Sequence, residues 1–125
     1  MSEHPSAVRY RQLVAAMNAG DTASFADSVA DDVVWWEIGM SEPVRGRDAV
    51  VERLSFVSDF DVSIDLHDVT ASDDCLIAVL GVTATRGDGT FAYRAAEIQH
   101  LNDAGEITER WSFSDDTQAI IDFFS

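Results

Sequence analysis

The second half of the chain alternates apolar and polar residues with a period of two, and this alternation most restricts the possible fold. Val62, Ile64 and Leu66 alternate with polar neighbours, and the segments CLIAVLGVTAT, FAYRAAEIQHL and EITERWSF follow in turn. The glycine-containing strings RGDGT and NDAG separate the last three segments. A period of two is typical of strands, and such short turns connect antiparallel neighbours. The pattern therefore predicts four consecutive antiparallel strands.

The first half of the chain has the spacing of helices instead. Four apolar residues recur at i, i+3, i+4 and i+7 and predict an amphipathic first helix: Tyr10, Leu13, Val14 and Met17. Further helices are expected after Asp21, over residues 47–57 and in the C-terminal tail. Between them, ADDVVWWEIG predicts a strand and MSEPVRG a loop. This order indicates one α+β domain over residues 1–125, whose helices cover one face of a curved antiparallel sheet.

The charge balance excludes several classes of partner and reaction. Aspartate and glutamate number 23 against 8 basic residues, which gives a net charge of −15, and every basic residue is an arginine. Without lysine, no Schiff base can form through a lysine amine. Nucleic acids and anionic membrane surfaces are bound through basic patches, so neither is expected as a partner.

Disulfide, metal and membrane roles are not expected either. Cys75 is the one cysteine in the sequence, so there is no internal disulfide. His67 and His100 have no second ligand at a suitable spacing, and His4 belongs to a terminus that is expected to fray, so no metal site is predicted. No apolar run approaches the ~18 residues of a spanning helix, and no leader pattern opens the sequence. We therefore expect a cytoplasmic protein.

Three strings spread over nearly the whole chain are similar to a known family: YRQLVAAMNAGD, SVADDVVWWEIGMSEPVRGRDAV and AAEIQHLNDAGEITERWSF. With the order of elements, they resemble the nuclear-transport-factor-2-like superfamily, and within it the SnoaL-like proteins and ketosteroid isomerases. The resemblance implies a cone-shaped α+β fold, a pocket for a small hydrophobic molecule and no cofactor. Because this superfamily contains isomerases, cyclases, hydrolases and non-catalytic binders, the resemblance specifies the fold better than the reaction.

The resemblance also implies roles for individual residues. The general base of ketosteroid isomerases is an aspartate shortly before the string SEP, and this chain has Glu37 there. Their oxyanion-hole acid lies on the strand before an N-x-A-G turn, where this chain has Glu97. Their oxyanion-hole tyrosine lies in the first helix, where this chain has Leu13. Tyr10 is one helical turn away, which is ~5.4 Å along the axis.

The period of the strands predicts which other side chains share the pocket. Tyr93 and Gln99 lie on the same face of their strand as Glu97, and Trp35 lies on the same face as Glu37. The resemblance implies that the Arg110 face of the last strand also points inward. We therefore expect Glu37 and Glu97 as catalytic residues, and the following as substrate-binding residues: Tyr10, Leu13, Trp35, Tyr93, Gln99, Arg110 and Ser112.

This pocket leads to two main hypotheses for function. In the first, the protein acts on a small, mostly apolar carbonyl compound: Glu37 removes a proton α to the carbonyl, and Glu97 with Tyr93 stabilises the oxyanion. In the second, the pocket holds a lipid- or terpenoid-like molecule without chemistry. A third, lower-ranked hypothesis is water activation, because an acid–arginine–acid set is similar to that of limonene epoxide hydrolases. This hypothesis ranks lower because the aspartate that those enzymes have in the final strand would align near Ser112 of this chain.

Structural roles are the alternatives for the charged residues. Glu37 can lie at a strand end open to water, and Glu97 can form a cross-strand ion pair with Arg110. If Arg110 reaches Glu97, it keeps that carboxyl ionised and removes its hydrogen-bond donor. Trp111, Phe113 and the C-terminal run IIDFF add apolar surface, and the resemblance implies a homodimer.

Overall fold

Helices occupy most of the first half of the chain, and strands most of the second half. The computed structural model describes residues 3–58 and 61–124. In these ranges the helices are α1 (Pro5–Asn18), α2 (Thr22–Ala26), α3 (Arg47–Ser58) and α4 (Thr117–Phe124). The strands are β1 (Val29–Trp35), β2 (Val44–Arg45), β3 (Ser63–Ala71), β4 (Cys75–Arg86), β5 (Gly89–Leu101) and β6 (Ile107–Ser114). The predicted α+β class is confirmed.

The six strands form one sheet in the order β2-β1-β6-β5-β4-β3. Strands β3 to β6 are antiparallel neighbours, as the alternation predicts. The expectation of a wholly antiparallel sheet is wrong in one place, because β1 runs parallel to β6. The sequence also missed β2, which pairs with the end of β1 inside the predicted loop MSEPVRG. Two residues are too few to produce a periodic pattern.

Strand β1 ends earlier than the sequence predicts, and this takes Glu37 out of the sheet. Trp35 is the last residue of β1 and pairs with both β2 and β6. The backbone N–H of Trp36 still donates to the carbonyl of Arg110 at 2.7 Å. The chain then turns through Gly39, which has a φ of +80°. Glu37 therefore lies on the loop that leaves the sheet, and not within a strand.

The helices bury two adjoining apolar clusters against the sheet. In the first cluster, Tyr10 and Val14 of α1 pack with residues of β3, β4 and β5. In the second, Phe25 of α2 and residues of α3 pack with β1, where the Phe25 ring meets the Trp35 ring edge-on at 5.2 Å. The predicted amphipathic face of α1 is the buried one. The core thus lies between the helices and one face of the sheet.

Helix α4 packs against the loop that follows β1. Its residue Ile120 is buried. A Cβ atom built on Gly39 would lie 2.6 Å from two carbons of the Ile121 side chain and 3.3 Å from Thr117. Phe123 stacks on Phe91 of β5 at a ring distance of 5.2 Å. Helix α4 is therefore held both by the loop and by β5.

No helix in the described ranges has the length and apolar character needed to cross a membrane. The apolar run IIDFF also predicts that Ile120, Ile121 and Phe124 pack against other residues, but the side chain of Phe124 lies outside the described residues.

We predict that Gly39→Ala destabilises the fold more than Gly20→Ala does. The two glycines have almost the same φ, +80° and +81°, so each alanine costs about 1–2 kcal/mol for the left-handed conformation. A Cβ on Gly20 meets nothing within 4 Å, whereas a Cβ on Gly39 displaces Ile121. Urea denaturation of both variants measures the difference. Equal free energies of unfolding would contradict the described contact between α4 and the loop.

Candidate functional site

A cavity lies between the helices and the inner face of the sheet, and all nine candidate residues lie on its wall. Its volume is about 310 Å³, at the lower end of the range of ligand pockets. Strand β5 contributes Tyr93, Glu97 and Gln99, and β6 contributes Arg110 and Ser112. The remaining four come from α1, β1 and the loop after β1: Tyr10, Leu13, Trp35 and Glu37. The structure therefore brings together side chains that are far apart in the chain.

Most of the cavity wall is apolar. Besides Leu13 and Trp35, this apolar wall includes residues of every helix: Val14, Met17, Phe25, Leu54, Ile120 and Ile121. The apolar wall also includes residues of β3 and β4, of the segment just before β3 and of the loop after β1: Ile64, Leu80, Val82, Val62, Ile38 and Met40. Such a wall, with a few polar groups at defined positions, is typical of a site for a small organic molecule.

The more enclosed of the two ion pairs on the cavity wall joins Glu97 and Arg110. Arg110 Nε donates to Glu97 Oε1 at 3.0 Å, and Nη1 donates to the carbonyl of Trp36 at 3.1 Å. The guanidinium carbon lies 4.3 Å from the centre of the Trp35 ring, a cation–π contact. Burial alone would lower the pKa of Arg110, but the charge and hydrogen bond of Glu97, together with smaller effects of Tyr10 and Glu37, outweigh it and raise this pKa. Arg110 is therefore a fixed cation on the cavity wall.

A second carboxylate–guanidinium pair joins Glu37 to α3. Arg53 Nε donates to Glu37 Oε1 at 2.7 Å, and the Glu37 side chain is 17% exposed. Glu37 is therefore neither an open strand end nor an unpaired buried charge. Sequence reasoning missed Arg53, although a signal was present: Arg53 follows Val50 at i+3 and precedes Leu54 on the apolar side of the predicted helix.

The two tyrosines of the chain both lie on the cavity wall. The Tyr10 hydroxyl donates to Glu97 Oε2 at 3.4 Å, so it reaches Glu97 although its Cα is a turn away from Leu13. Burial, followed by the charge of Glu97, raises the pKa of Tyr10 far above its ordinary value. Burial also raises the pKa of Tyr93 to about 12, with the charge of Arg110 opposing and those of Glu97 and Glu37 adding to the effect. Both phenols are therefore protonated near neutral pH.

The charges on the cavity wall cancel. Its carboxylates, Glu37 and Glu97, are matched by its guanidiniums, Arg53 and Arg110. Because Glu97 accepts hydrogen bonds through both oxygens, it offers a ligand no donor in this arrangement. Within residues 3–58 and 61–124, no group of three or more His, Cys, Asp or Glu side chains is arranged to hold a metal ion. The site therefore suits an uncharged, mostly apolar ligand.

This geometry defines a class of protein, an α+β cone with a cavity between its helices and its sheet. Comparison with known sequences identifies the family. The sequence model of the SnoaL-like domain family matches residues 10–110. The chain therefore belongs to the SnoaL-like domain family. No curated protein sequence matches the chain significantly.

Several solved structures share the fold of this chain. Bal32a, from a soil-derived mobile gene cassette, has a TM-score of 0.84 and 20% identity over 96% of each chain. SalBIII, an epoxide hydrolase/cyclase-like enzyme in pyran ring formation in the polyether salinomycin, has a TM-score of 0.80 and 15% identity over 90% of this chain and 92% of its own. A computationally designed 17-OHP binder has a TM-score of 0.76 and 24% identity over 90% of this chain and 92% of its own. At these identities the likeness shows the fold alone.

We predict that neither tyrosine ionises near pH 10, the ordinary value for a phenol, while the protein is folded. Because the folded state holds these protons more tightly than the unfolded state, stability decreases as the pH rises above about 10 and toward the raised pKa values. Phenolate absorbance and circular dichroism, recorded together against pH, check this expectation. Tyr93→Phe and Tyr10→Phe assign the two transitions. Phenolate absorbance with a midpoint near 10 in folded protein would contradict the burial of these side chains.

Proposed function

We propose that this protein binds a small, uncharged and mostly apolar carbonyl compound and transfers a proton on it, as an isomerase or cyclase without a cofactor. The observation that carries the proposal is the position of Glu37. Its side chain lies on the cavity wall and is only 17% exposed, and its carboxylate is paired with Arg53. A carboxylate positioned in this way can act as the general base that removes a proton from carbon.

In the proposed reaction, Glu37 removes a proton from the carbon next to the carbonyl, and the electron pair of that C–H bond moves to form an enolate. Return of the proton to a different carbon gives an isomer. Attack of the enolate carbon on a second carbonyl carbon of the same molecule gives a ring instead: the π bond of that carbonyl opens, and its oxygen takes the proton from Glu37. Both outcomes balance without an oxidant or a second substrate.

The developing negative charge on the carbonyl oxygen needs a donor, and we assign this role to Tyr93. Its pKa of about 12 keeps its proton available at neutral pH. Arg110 adds a fixed positive charge on the same wall. Glu97 then acts by holding Arg110 and Tyr10 in place, because its own oxygens already accept hydrogen bonds from them. A preorganised donor and cation of this kind stabilise the charge that appears in the transition state.

A non-catalytic binding role is the second candidate. It is favoured by the pairing of both carboxylates with arginines, since such pairs can serve structure alone. The fold shared with a designed 17-OHP binder agrees with this role. Water activation is a third candidate. It is favoured by the fold that this chain shares with SalBIII, and by the position of Arg110, whose pKa is raised by the charges of both Glu97 and Glu37. It ranks lower because β6 offers Ser112 and no acid to the cavity.

We predict that Glu37→Gln lowers the rate of proton exchange at least 100-fold, because a positioned general base contributes about 10²–10⁴-fold. The assay measures hydrogen–deuterium exchange at the carbon next to the carbonyl of simple enones by NMR. Glu42→Gln is the matched control: Glu42 is exposed, is on the same loop and is not on the cavity wall.

An unchanged rate in Glu37→Gln would contradict the assignment of the base. Wild-type protein that binds the enones but exchanges no protons above the buffer rate would contradict the catalytic proposal and favour the binding role.

We also propose that the protein forms a homodimer through the outer face of the sheet. Two neighbouring rows across β4, β5 and β6 are apolar on that face: Ile77, Ile98 and Trp111 in one, and Val79, Ala96 and Phe113 in the other. Ile77 and Val79 are each 44% exposed, and Phe113 is 54% exposed. Contiguous apolar surface of this kind marks an interaction site, and a second copy presents the same surface.

We predict that Phe113→Asp shifts the protein to the monomer, because a buried unpaired carboxylate is unfavourable in an apolar interface. Sedimentation velocity at micromolar concentration measures the oligomeric state. Val8→Asp is the matched control, since Val8 is also an exposed apolar residue but lies on α1, away from the sheet. A wild-type monomer at this concentration would refute the proposed dimer.

A further inference from the structure

The charged side chains on the cavity wall are paired, whereas three neutral polar side chains on the same wall are not. Tyr93, Gln99 and Ser112 take no part in side-chain hydrogen bonds with the described residues. Tyr93 has a role in the proposed reaction, but Gln99 and Ser112 have none. The carboxamide of Gln99 and the hydroxyl of Ser112 can each donate and accept hydrogen bonds. They are therefore groups that a ligand can still engage.

Gln99 and Ser112 are deeply buried for side chains that have no hydrogen-bond partner within residues 3–58 and 61–124. Gln99 is 2% exposed and Ser112 is 9% exposed. In the described part of the chain, no fully enclosed side-chain nitrogen or oxygen lacks a hydrogen-bond partner. The polar atoms of Gln99 and Ser112 must therefore border open space, and the cavity is the space that both residues share. Leaving such groups unpaired is unfavourable, so a ligand that pairs with them gains affinity.

The register of the sheet places the two residues beside the central ion pair. On β5 and β6, Gln99 is directly opposite Arg110, and Ser112 is directly opposite Glu97. Cross-strand neighbours on one face lie ~4.5–5.5 Å apart at Cβ. Gln99 and Ser112 therefore flank the Glu97–Arg110 pair on one continuous polar surface of the inner sheet.

We propose that Gln99 and Ser112 form a second polar subsite, which binds a hydroxyl or carbonyl oxygen of an uncharged ligand. The inference rests on the proposed function, in which the reacting carbonyl lies at Glu37 and Tyr93. The substrate then carries at least two oxygen functions on a mostly apolar skeleton. A site built to hydrogen-bond a group discriminates against the analogue that lacks it, so this subsite selects among apolar carbonyl compounds.

A bound water is the competing explanation for Gln99 alone. A separate void of about 30 Å³ lies between α1 and the sheet and is lined by Ser6, Gln99 and others. A void of this size can hold one water molecule. Ser112 does not line this void, and Ser6 does not line the main cavity. The two serines therefore separate ligand recognition from water binding.

The experiment compares two probes that differ by one oxygen. One is a methylated bicyclic enedione with a decalin skeleton, and the other is the matching enone, in which a methylene group replaces the second carbonyl. Dissociation constants are measured by calorimetry for wild type, Gln99→Leu, Ser112→Ala and Ser6→Ala. We expect wild type to prefer the enedione roughly tenfold, the effect of about one neutral hydrogen bond. The affinity ratio decreases toward one in Gln99→Leu and in Ser112→Ala, and stays at the wild-type value in Ser6→Ala.

The ratio of the two affinities distinguishes the possible failures. Equal binding of both probes to wild type, or a preference that persists in Gln99→Leu and Ser112→Ala, overturns the subsite and leaves the proposed function standing. If Gln99→Leu and Ser6→Ala lower the melting temperature but leave the affinity ratio of the two probes unchanged, the subsite is overturned in favour of the bound water. Wild-type protein that binds neither probe contradicts the proposed carbonyl pocket itself.

Discussion

The burial of one guanidinium, that of Arg110, is the constraint on which the rest of the structure depends. A buried charge is tolerated only with a partner and further hydrogen bonds. Arg110 obtains these from Glu97 on β5, from the carbonyl of Trp36 after β1 and from the face of the Trp35 ring. The same residue thus connects the antiparallel half of the sheet to the parallel strand β1. Removing any one partner would leave the others around an incompletely compensated charge.

This arrangement also determines what the cavity can do. Because Arg110 and Arg53 pair with Glu97 and Glu37, the wall has fixed charges but no net charge. The polar groups that a ligand can still engage are therefore neutral side chains, together with the remaining lone pairs of the two paired carboxylates. An uncharged carbonyl compound meets these conditions without desolvating an unpaired ion. The stability of the fold and the chemistry of the site consequently depend on the same few contacts.

Much of the fold follows from local patterns. The period of two predicts β3 to β6 and their antiparallel order, and the helical spacing predicts α1 with its buried face. Periodicity also predicts that Tyr93, Glu97 and Gln99 share a face, and the structure has all three on the cavity wall. The patterns do not predict where β1 ends, because that depends on pairing with β2 and β6. Nor do they predict the two-residue strand β2, which has no period of its own.

The sequence by itself determined the kinds of element, their order and the face on which each side chain lies, because these depend on spacing along a short segment. It also excluded lysine chemistry, since the chain has no lysine. Only the tertiary structure decided which charged groups meet. Tyr10 and Glu97 are 87 residues apart, and Glu37 meets Arg53 only because α3 packs against β1 beside the loop that carries Glu37. Such contacts depend on how elements pack in space, and no periodic pattern along the chain contains that information.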